Sequence, residues 1–386
     1  MTAPLYLDHA ATSPVRAEVL TAMAPFLARE YGNPSSHHTI GEAAAGALAD
    51  ARARVAAVLG ARTSEVIFTA GGTEADNLAI KGIVLPALAR GRNHVITTAI
   101  EHEAILESVA YLERFHDVSS TILPVDAAGR VSPDDLRVAL RPETALVSFG
   151  HANNEIGTVQ DAPALIAVAR EAGVAVHVDA VQSAGWLPLD DLGADAVAVA
   201  GHKLGAPKGT GALIVRGRVP LEPLLHGGGQ ERGRRSGTEN VAGAVALATA
   251  LELAESERAQ ATSRVGAETA RFIRAVLAAL PQSALTGAPE IDDPGHRLPG
   301  TASFTFAGTS GEAVLLELER RGVVSSSGSA CAAGSDDPSP VLLACGIAPQ
   351  IAQTSVRFTT GRTGLPGDTP ERLAALVTDA VRAVSG

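Results

Sequence analysis

Short apolar segments alternate with helical segments through the first part of the chain. Runs such as EVIFTA, TALVSFG and DAVAVA have the length and composition of buried strands. Around them lie longer stretches, such as VRAEVLTAMAPFLAREYG, whose apolar residues have helical spacing. Because strands that alternate with helices form parallel sheets with crossover helices, the sequence predicts an α/β domain.

A different pattern follows the glycine- and arginine-rich stretch HGGGQERGRRSGTENV. Ser236 and Glu239 have the spacing of a capping box, so we expect a long helix to begin at Ser236 to Thr238. Beyond about Glu255 the sequence indicates another helix, a proline-rich segment, and two strands separated by a helix. This order of segments predicts a second, smaller α+β domain.

Composition and charge exclude several classes of protein. A net charge of -11 and a pI near 5.5 argue against a protein that binds nucleic acid directly. The first residues lack the features of a signal peptide, and no apolar stretch is long enough to span a bilayer, so we expect a cytoplasmic protein without membrane contact.

Two cysteines rule out a disulfide framework and a cysteine-only zinc site. His102 and Glu103 do not complete a zinc motif, because Leu106 stands where HExxH needs histidine, and we expect no metal.

Lysine is rare in this chain, and one lysine stands at the end of a predicted strand. Only Lys81, Lys203 and Lys208 are lysines among 31 basic residues. Lys203 follows the strand DAVAVA, and ligands of parallel α/β sheets bind where strands end. An amine can lose its proton and form an imine, whereas a guanidinium cannot. Lys203 is therefore a candidate catalytic residue, although a surface lysine in a polar turn remains the alternative.

A glycine turn opens a helix directly after the strand EVIFTA. In GGTEADNLAIKG, the backbone N–H groups and the positive end of the helix dipole would face an anion in the turn, and Thr73 could add a hydroxyl. An ordinary helix cap by Thr73 explains the same residues equally well. No GxGxxG accompanies this turn and no GxxxxGK[ST] occurs, so neither a dinucleotide fold nor a P-loop is supported.

The two cysteines have contrasting surroundings. Cys331 lies in SSSGSACAAGSDDPSP, a run of small, polar and helix-breaking residues that is typical of an exposed loop. Cys345, within VLLACGI, has the apolar neighbours of a buried structural cysteine. We therefore expect a reactive thiol at Cys331 and a buried thiol at Cys345.

Taken together, these motifs resemble the class V aminotransferases, a group of pyridoxal phosphate enzymes, and within it the cysteine desulfurases. The resemblance covers nearly the whole chain, and the cysteine loop followed by a Pro-Ser pair is similar to the longer-loop type. It implies pyridoxal phosphate fold type I, an α/β architecture with a large domain (15–255) whose mainly parallel sheet is flanked by helices. The small α+β domain would comprise 1–14 and 256–386 and carry the cysteine loop (325–340). The motifs are, in order, YLDHAATSPV, FTAGGTEADNLAIKG, TTAIEHEAI, HANNEIGTVQ, HVDAVQS, GHKLGAPKGTGAL, HGGGQERGRRSGTENV, VSSSGSACAAG and SVRFTTGR.

The resemblance also implies a role for each matching residue. Pyridoxal 5'-phosphate would be held covalently by Lys203, with Asp179 against its ring nitrogen so that the ring acts as an electron sink. His102 would stack on the ring and shuttle protons, and Gln182 would hydrogen-bond the phenolic oxygen. The phosphate would be bound by Gly72, Thr73, His202 and, in a homodimer, Thr238 of the partner subunit.

The substrate implied by the family is L-cysteine. Asn154 and Arg357 would hold its carboxylate, for which the arginine fork is suited. Lys203 would take the Cα proton, and Cys331 as a thiolate would attack the substrate sulfur, leaving alanine and a persulfide. An acceptor protein would then take the sulfur, for iron–sulfur clusters or tRNA thiolation.

One position departs from the family pattern, and two alternative functions remain open. Ala200 stands where many relatives have a serine that donates to the phosphate, a loss of about 1 kcal/mol if nothing replaces it. An aminotransferase or another lyase of the same fold would need Lys203 and Asp179 but no thiol. A non-catalytic scaffold would need neither Lys203 nor Cys331.

Overall fold

The computed structural model describes residues 4–327, 337–365 and 370–385. Between residues 66 and 179, strands and helices alternate, as the sequence predicts. The strands are β1 (Leu5–Tyr6), β2 (Val66–Thr69), β3 (His94–Thr98), β4 (Ser119–Leu123), β5 (Thr144–Gly150), β6 (Ala175–Asp179), β7 (Ala196–Ala200), β8 (Gly211–Val215), β9 (Ser283–Leu285), β10 (Thr301–Phe306), β11 (Val323–Val324) and β12 (Ser355–Thr359). The helices are α1 (Ala17–Ala28), α2 (Thr39–Val58), α3 (Gly72–Leu88), α4 (Glu103–His116), α5 (Pro133–Ala139), α6 (Ala162–Glu171), α7 (Gly201–Leu204), α8 (Val241–Ala279), α9 (Gly311–Arg320), α10 (Pro340–Ala344), α11 (Pro349–Ala352) and α12 (Pro370–Val384).

A seven-stranded sheet forms the centre of the larger part of the fold. Its strand order is β2-β8-β7-β6-β5-β3-β4. The five strands from β7 to β4 are parallel, while β8 runs antiparallel to both β2 and β7. The prediction of a mainly parallel sheet flanked by helices is confirmed, and β8 is the one reversed strand of this sheet.

Both faces of the sheet are covered by helices, which explains the continuous apolar runs of its strands. Along β7, Val197 and Val199 pack into a core with residues of α2, α6 and α8. Ala196 and Ala198, which point to the other face, pack into a core with residues of α3 and α4. Alternate residues of one strand therefore enter two different cores.

The long helix does not begin where its capping box predicts. Asn240 is the N-cap of α8, and its side chain accepts a hydrogen bond from Gly243 N at 2.9 Å. Ser236 instead belongs to the preceding loop, where its amide donates to Leu225 O and its hydroxyl accepts from Gly229 N. The prediction of a start at Ser236 to Thr238 is wrong, because loop contacts engage Ser236 and the asparagine three residues before Gly243 has the cap geometry.

The helix α8 is also longer than the sequence indicates. It runs without a break for 39 residues, through the position of Glu255 at which two helices are expected. The expected boundary between residues 255 and 256 therefore falls within a single helix, whose first half packs on the large sheet and whose second half packs on a smaller one.

The smaller sheet has a core of its own. Its order is β12-β10-β9 with antiparallel pairing, and α8, α9 and α12 pack against it. Phe272, Phe304 and Phe358 meet edge-to-face in this core, with ring centroids 5.3–6.2 Å apart. The N-terminal strand β1 pairs with β11, and Leu7 enters the same core. The first residues of the chain thus pack with its C-terminal part.

Among residues 4–327, 337–365 and 370–385, no helix combines the length and the apolar character needed to cross a bilayer.

Replacing Phe304 by alanine tests the second core. Phe304 is fully buried, so we expect Phe304→Ala to lower the free energy of unfolding by about 3–5 kcal/mol through lost contacts and a new cavity. Urea denaturation followed by circular dichroism measures the change. Leu316→Ala, at an exposed position of α9, is the control and should change stability little. Equal effects of the two variants would contradict this assignment of the core.

Candidate functional site

The ends of the central parallel strands lie side by side at one edge of the large sheet. Gly150, the last residue of β5, pairs in register with Asp179, the last residue of β6. Asp179 pairs with Ala198 of β7, two residues before that strand ends. Ligands of open α/β sheets bind outside the carboxyl ends of the strands, and Asp179 and Lys203 end or follow two of these strands.

Lys203 lies on the four-residue helix α7, which follows β7 directly. Its Nζ donates to the backbone oxygens of Ala10 and Ala11, the latter at 2.9 Å. Gln182 Nε2 also donates to Ala10 O, at 3.1 Å. The N-terminal segment therefore brings the predicted catalytic lysine and Gln182 together on one shared acceptor, the Ala10 carbonyl.

His202 precedes Lys203 on the same short helix. Its Nδ1 lies 3.2 Å from Thr12 Oγ1. Burial, with the nearby charge of Lys203, lowers the pKa of His202 to about 4. The ring is therefore neutral at physiological pH, so that it contributes a hydrogen bond and no positive charge to the site.

The glycine turn before α3 has the geometry of an anion site. Gly71 is the N-cap and makes no side-chain cap bond, and Thr73 lies exposed in the first turn. A cap by Thr73 is therefore excluded as the explanation of this turn. A Cβ at Gly72 would come within 2.8 Å of Val181 Cγ2, so glycine lets the helix end approach the loop after Asp179. The first N–H groups of a 17-residue helix point out of this turn.

Asp179 is the last residue of β6, and His102 follows the end of β3, with β5 between these two strands. Asp179 accepts a hydrogen bond from Val181 N at 2.8 Å. Burial raises the pKa of Asp179, while the hydrogen bond from the Val181 amide and the charge of Lys203 oppose the rise. His102 is the N-cap of α4, with its Nδ1 accepting from Ala104 N at 3.0 Å, and its side chain is exposed. The fixed Nδ1 leaves Nε2 as the nitrogen available to a ligand.

Arg357 and Asn154 meet across the interface between the two sheets. Arg357, on β12 and 1% exposed, donates through Nη1 to the backbone oxygen of Asn154 at 2.9 Å. Its Nη2 forms an ion pair with Asp8 Oδ1 at 2.6 Å. The structure thus brings both predicted substrate residues together, and it also places Arg357 in a buried ion pair with Asp8.

Cys331 lies outside the described residues, but the chain on either side of it is placed. Ser326 and Arg357 form backbone hydrogen bonds in both directions. Ser339 Oγ donates to Glu155 Oε2 at 2.6 Å and caps α10. Glu155 follows Asn154 directly, so both flanks of the cysteine segment are attached beside the Asn154 and Arg357 pair.

Cys345 is buried, with 6% of its surface exposed, and packs against Ile156 and Val341. Burial raises the pKa of its thiol to about 11. The prediction of a buried structural cysteine is confirmed.

Thr238 lies apart from Lys203 within one chain. With Ala70 and Gly209 it lines a cavity of about 190 Å³, whose described lining includes neither Lys203 nor Asp179. The loop that carries Thr238 is fixed by Glu231, which forms a buried bidentate ion pair with Arg52 at 2.6 and 2.7 Å.

A larger cavity of about 570 Å³ lies beside the N-terminal segment. Lys203 and Gln182 line it, together with residues of α8 and the segment after β12. Asp179, His102 and Gly72 are not part of its described lining. The cavity therefore adjoins the predicted site at the lysine but does not coincide with it.

Three buried titratable residues near Asp179 escape the sequence-based prediction. They are Asp76 on α3, Glu101 after β3 and His177 on β6. The sequence contains a signal for one of these residues. Asp76 shares a helix face with Ile80 and Ile83, and a charged residue is unexpected on an apolar face.

The sequence profile of the class-V aminotransferases matches residues 5–361. A protein named cysteine desulfurase IscS from Dictyoglomus turgidum is 44% identical over 363 residues, which cover 94% of this chain and 90% of the relative. An IscS-like cysteine desulfurase of Mycobacterium tuberculosis is 45% identical over 377 residues, covering 96% and 95% of the two chains.

Solved structures agree with these sequence relatives. A NifS-like protein superposes with a TM-score of 0.87 at 32% identity, over 98% of this chain and 99% of the other. A structure described as SspA in complex with cysteine has a TM-score of 0.80 at 35% identity, over 92% and 98%. The family profile and these relatives both span nearly the whole chain, and the chain therefore belongs to the class-V aminotransferase family, among its cysteine desulfurases.

Proposed function

We propose that this cysteine desulfurase binds pyridoxal 5'-phosphate, converts L-cysteine to L-alanine and receives the sulfur on Cys331. The observation that carries the proposal is the meeting of three different groups at one sheet edge. These are the amine of Lys203, the carboxyl group of Asp179 and the N-terminus of α3 at Gly72. Pyridoxal phosphate has one matching group for each: an aldehyde for the amine, a basic ring nitrogen for the carboxyl group and a phosphate for the helix N-terminus.

The residues at this edge fit the cofactor. Lys203 would bond its aldehyde carbon, and Asp179 would hold its ring nitrogen protonated. Gly72, whose missing side chain allows the close approach of α3 to Val181, would offer backbone N–H groups to the phosphate beside Thr73 and His202. His102 would stack on the ring, and Gln182 would donate to the phenolic oxygen. When bound, the cofactor supplies an electron sink for the bond electrons of the substrate Cα.

Lys203 has two tasks in this proposal. Its amine must leave the carbonyls of Ala10 and Ala11 to bond the cofactor, and once free it acts as the base for the Cα proton. Those two carbonyls of the N-terminal segment lie where they can hold the amine after it is released.

Arg357 and Asn154 would orient the substrate through its carboxylate. The guanidinium of Arg357 is already fixed by Asp8 and by the Asn154 carbonyl, so its geometry is set before substrate arrives. The related structure with cysteine supports L-cysteine as the substrate.

Sulfur transfer would then use Cys331. Its thiolate attacks the substrate sulfur, a sulfur–sulfur bond forms as the bond from sulfur to the substrate Cβ breaks, and that electron pair returns to the substrate carbon, which is protonated to give alanine. An acceptor protein for iron–sulfur cluster assembly or tRNA thiolation would remove the persulfide sulfur. The enzyme would act in the cytoplasm, without direct contact with nucleic acid or membrane.

A homodimer would complete the phosphate site. Thr238 of the partner subunit would add a hydroxyl donor, and the Arg52 and Glu231 ion pair would hold the loop that carries it. This donor matters more than usual, because Ala200 offers no hydroxyl where many relatives have serine.

Replacing Cys331 by alanine tests the persulfide step. With L-cysteine and a reductant, we expect the wild type to release sulfide and alanine in equal amounts and Cys331→Ala to release neither. Cys345→Ala is the matched control and should keep both activities, because that thiol is buried and protonated. Normal turnover by Cys331→Ala would contradict the proposal and favour another lyase or an aminotransferase.

Introducing a hydroxyl at position 200, where many relatives have serine, tests the phosphate site. The β-carbon of Ala200 lies 3.5 Å from the Cβ position at Gly72, so a serine hydroxyl would reach the turn before α3. We expect Ala200→Ser to gain about 1 kcal/mol of cofactor binding, roughly a fivefold lower dissociation constant. Titration of the apoenzyme with pyridoxal 5'-phosphate measures it. Ala43→Ser, exposed on α2, is the control, and equal affinities for all three proteins would place the phosphate elsewhere.

A further inference from the structure

The turn after β3 (residues 99–102) and the turn after β5 (residues 151–158) lie against each other at the carboxyl edge of the large sheet. The last register pair between these two parallel strands is Ile96 with Val147, before either strand ends. Beyond that pair, two hydrogen bonds from side chains join the segments that follow. How the two turns lie against each other therefore depends on those side chains as well as on the sheet.

Asn153 makes one of these two hydrogen bonds. Its Nδ2 donates to the backbone oxygen of Ile100 at 2.9 Å. Its Oδ1 accepts from the backbone amides of Glu155 and Ile156, at 2.8 and 3.0 Å. Asn153 is 7% exposed, so the side-chain amide makes these bonds away from bulk water. One side chain thus acts as an acceptor within its own turn and as a donor to the other turn.

Glu101 makes the second hydrogen bond, as an acceptor. Its Oε2 accepts from Gly150 N at 2.7 Å, and its Oε1 accepts from Thr98 Oγ1. A Cβ at Gly150 would come within 3.2 Å of Glu101 Oε2, so glycine permits this close approach. The turn after β3 is therefore held at two successive residues, Ile100 and Glu101.

The residues that Asn153 bonds also pack together. Ile100 and Ile156 belong to one buried apolar cluster, with Val341 and Leu342 of α10. Apolar contacts are non-directional, whereas a hydrogen bond weakens steeply when its angle departs from linearity. The apolar cluster holds the two turns in contact, and the Asn153 amide sets their relative orientation.

Each turn carries a residue of the proposed site. His102 follows Glu101 directly and caps α4, and its ring would stack on the cofactor. Asn154 follows Asn153 directly, and its backbone oxygen accepts from Arg357 Nη1 at 2.9 Å. Asn153 therefore lies between the residue that would stack on the ring and the pair that would hold the substrate carboxylate.

We propose that Asn153 is a positioning residue for His102, because its amide fixes the turn after β3 relative to Asn154. The roles of His102 and Asn154 rest on the proposed function, whereas the hydrogen bond from Asn153 to Ile100 is a property of the chain. Orientation of this kind affects the rate strongly, since a displacement of about 1 Å can slow a reaction about a hundredfold.

Asn153→Asp separates the two tasks of this side chain. A carboxylate still accepts from the amides of Glu155 and Ile156, but it cannot donate to Ile100 O. It also places a second acceptor against that carbonyl oxygen, and the two oxygens repel each other. We therefore expect the turn after β5 to keep its structure and the turn after β3 to move away from it.

Asn93→Asp is the matched control. Asn93 Nδ2 donates to the backbone oxygen of Asp117 at 3.2 Å, so this substitution removes a hydrogen bond of the same kind. Asn93 is exposed and directly precedes β3, at the opposite end of the strand from His102.

Turnover of L-cysteine by the holoenzyme is the first readout, expressed per bound pyridoxal 5'-phosphate. We expect Asn153→Asp to lower kcat/KM about tenfold or more, mainly through kcat because Asn154 stays in place, and Asn93→Asp to match the wild type. In a His102→Ala background the effect of Asn153→Asp should shrink to about twofold or less, since no ring is left to position. Unchanged kcat/KM in Asn153→Asp, or an equal loss in both backgrounds, would overturn the proposal.

Amide hydrogen exchange followed by mass spectrometry is a second readout that needs no turnover. In Asn153→Asp we expect faster exchange over residues 100–106, where Ala104 N donates to His102 Nδ1, and wild-type protection over residues 151–158. Unchanged exchange over residues 100–106, or equal acceleration of both segments, contradicts the proposal. If the wild type formed no alanine from L-cysteine, the proposed function would fail, and exchange would still decide whether Asn153 fixes the turn that carries His102.

Discussion

The parallel pairing of β3, β5, β6 and β7 is the constraint on which the rest of the structure depends. Parallel strands deliver their carboxyl ends to one edge, and burial of both sheet faces fixes their register. Asp179, Gly150 and Lys203 are separated by up to 53 positions in sequence, yet they lie at this edge because each ends or follows a paired strand. The reactive side chains lie at this edge because the pairing of the strands fixes where each strand ends.

The N-terminal segment and the C-terminal part of the chain contact residues that follow the strands of this edge. The N-terminal segment lies between the sheets, where Ala10 and Ala11 accept hydrogen bonds from Lys203 and Asp8 pairs with Arg357. Because β1 pairs with β11 and Leu7 enters the second core, the folding of the C-terminal part positions those acceptors. Arg357 and Lys203 are thereby linked through one short segment.

Much of this arrangement could be predicted from the sequence, since it depends on local patterns. Apolar runs of strand length predict the sheet, and the glycine turn before α3 and the lysine after β7 mark the ligand-binding edge. The start of α8 is predicted wrongly, because a capping box at Ser236 and a cap at Asn240 are both locally plausible and loop contacts decide between them. The continuity of α8 through Glu255 likewise depends on two cores that pack on one helix.

The sequence by itself determined the family, the mainly parallel sheet and the residue types that can bond, protonate and orient a substrate. Only the tertiary structure decided which titratable residues lie around Asp179. Burial of Asp76, Glu101 and His177 around it is a property of packed α3, β3, β5 and β6, and no spacing in the chain encodes their proximity. Charge states inside a protein depend on desolvation and on neighbours from distant segments, and folding alone brings those together.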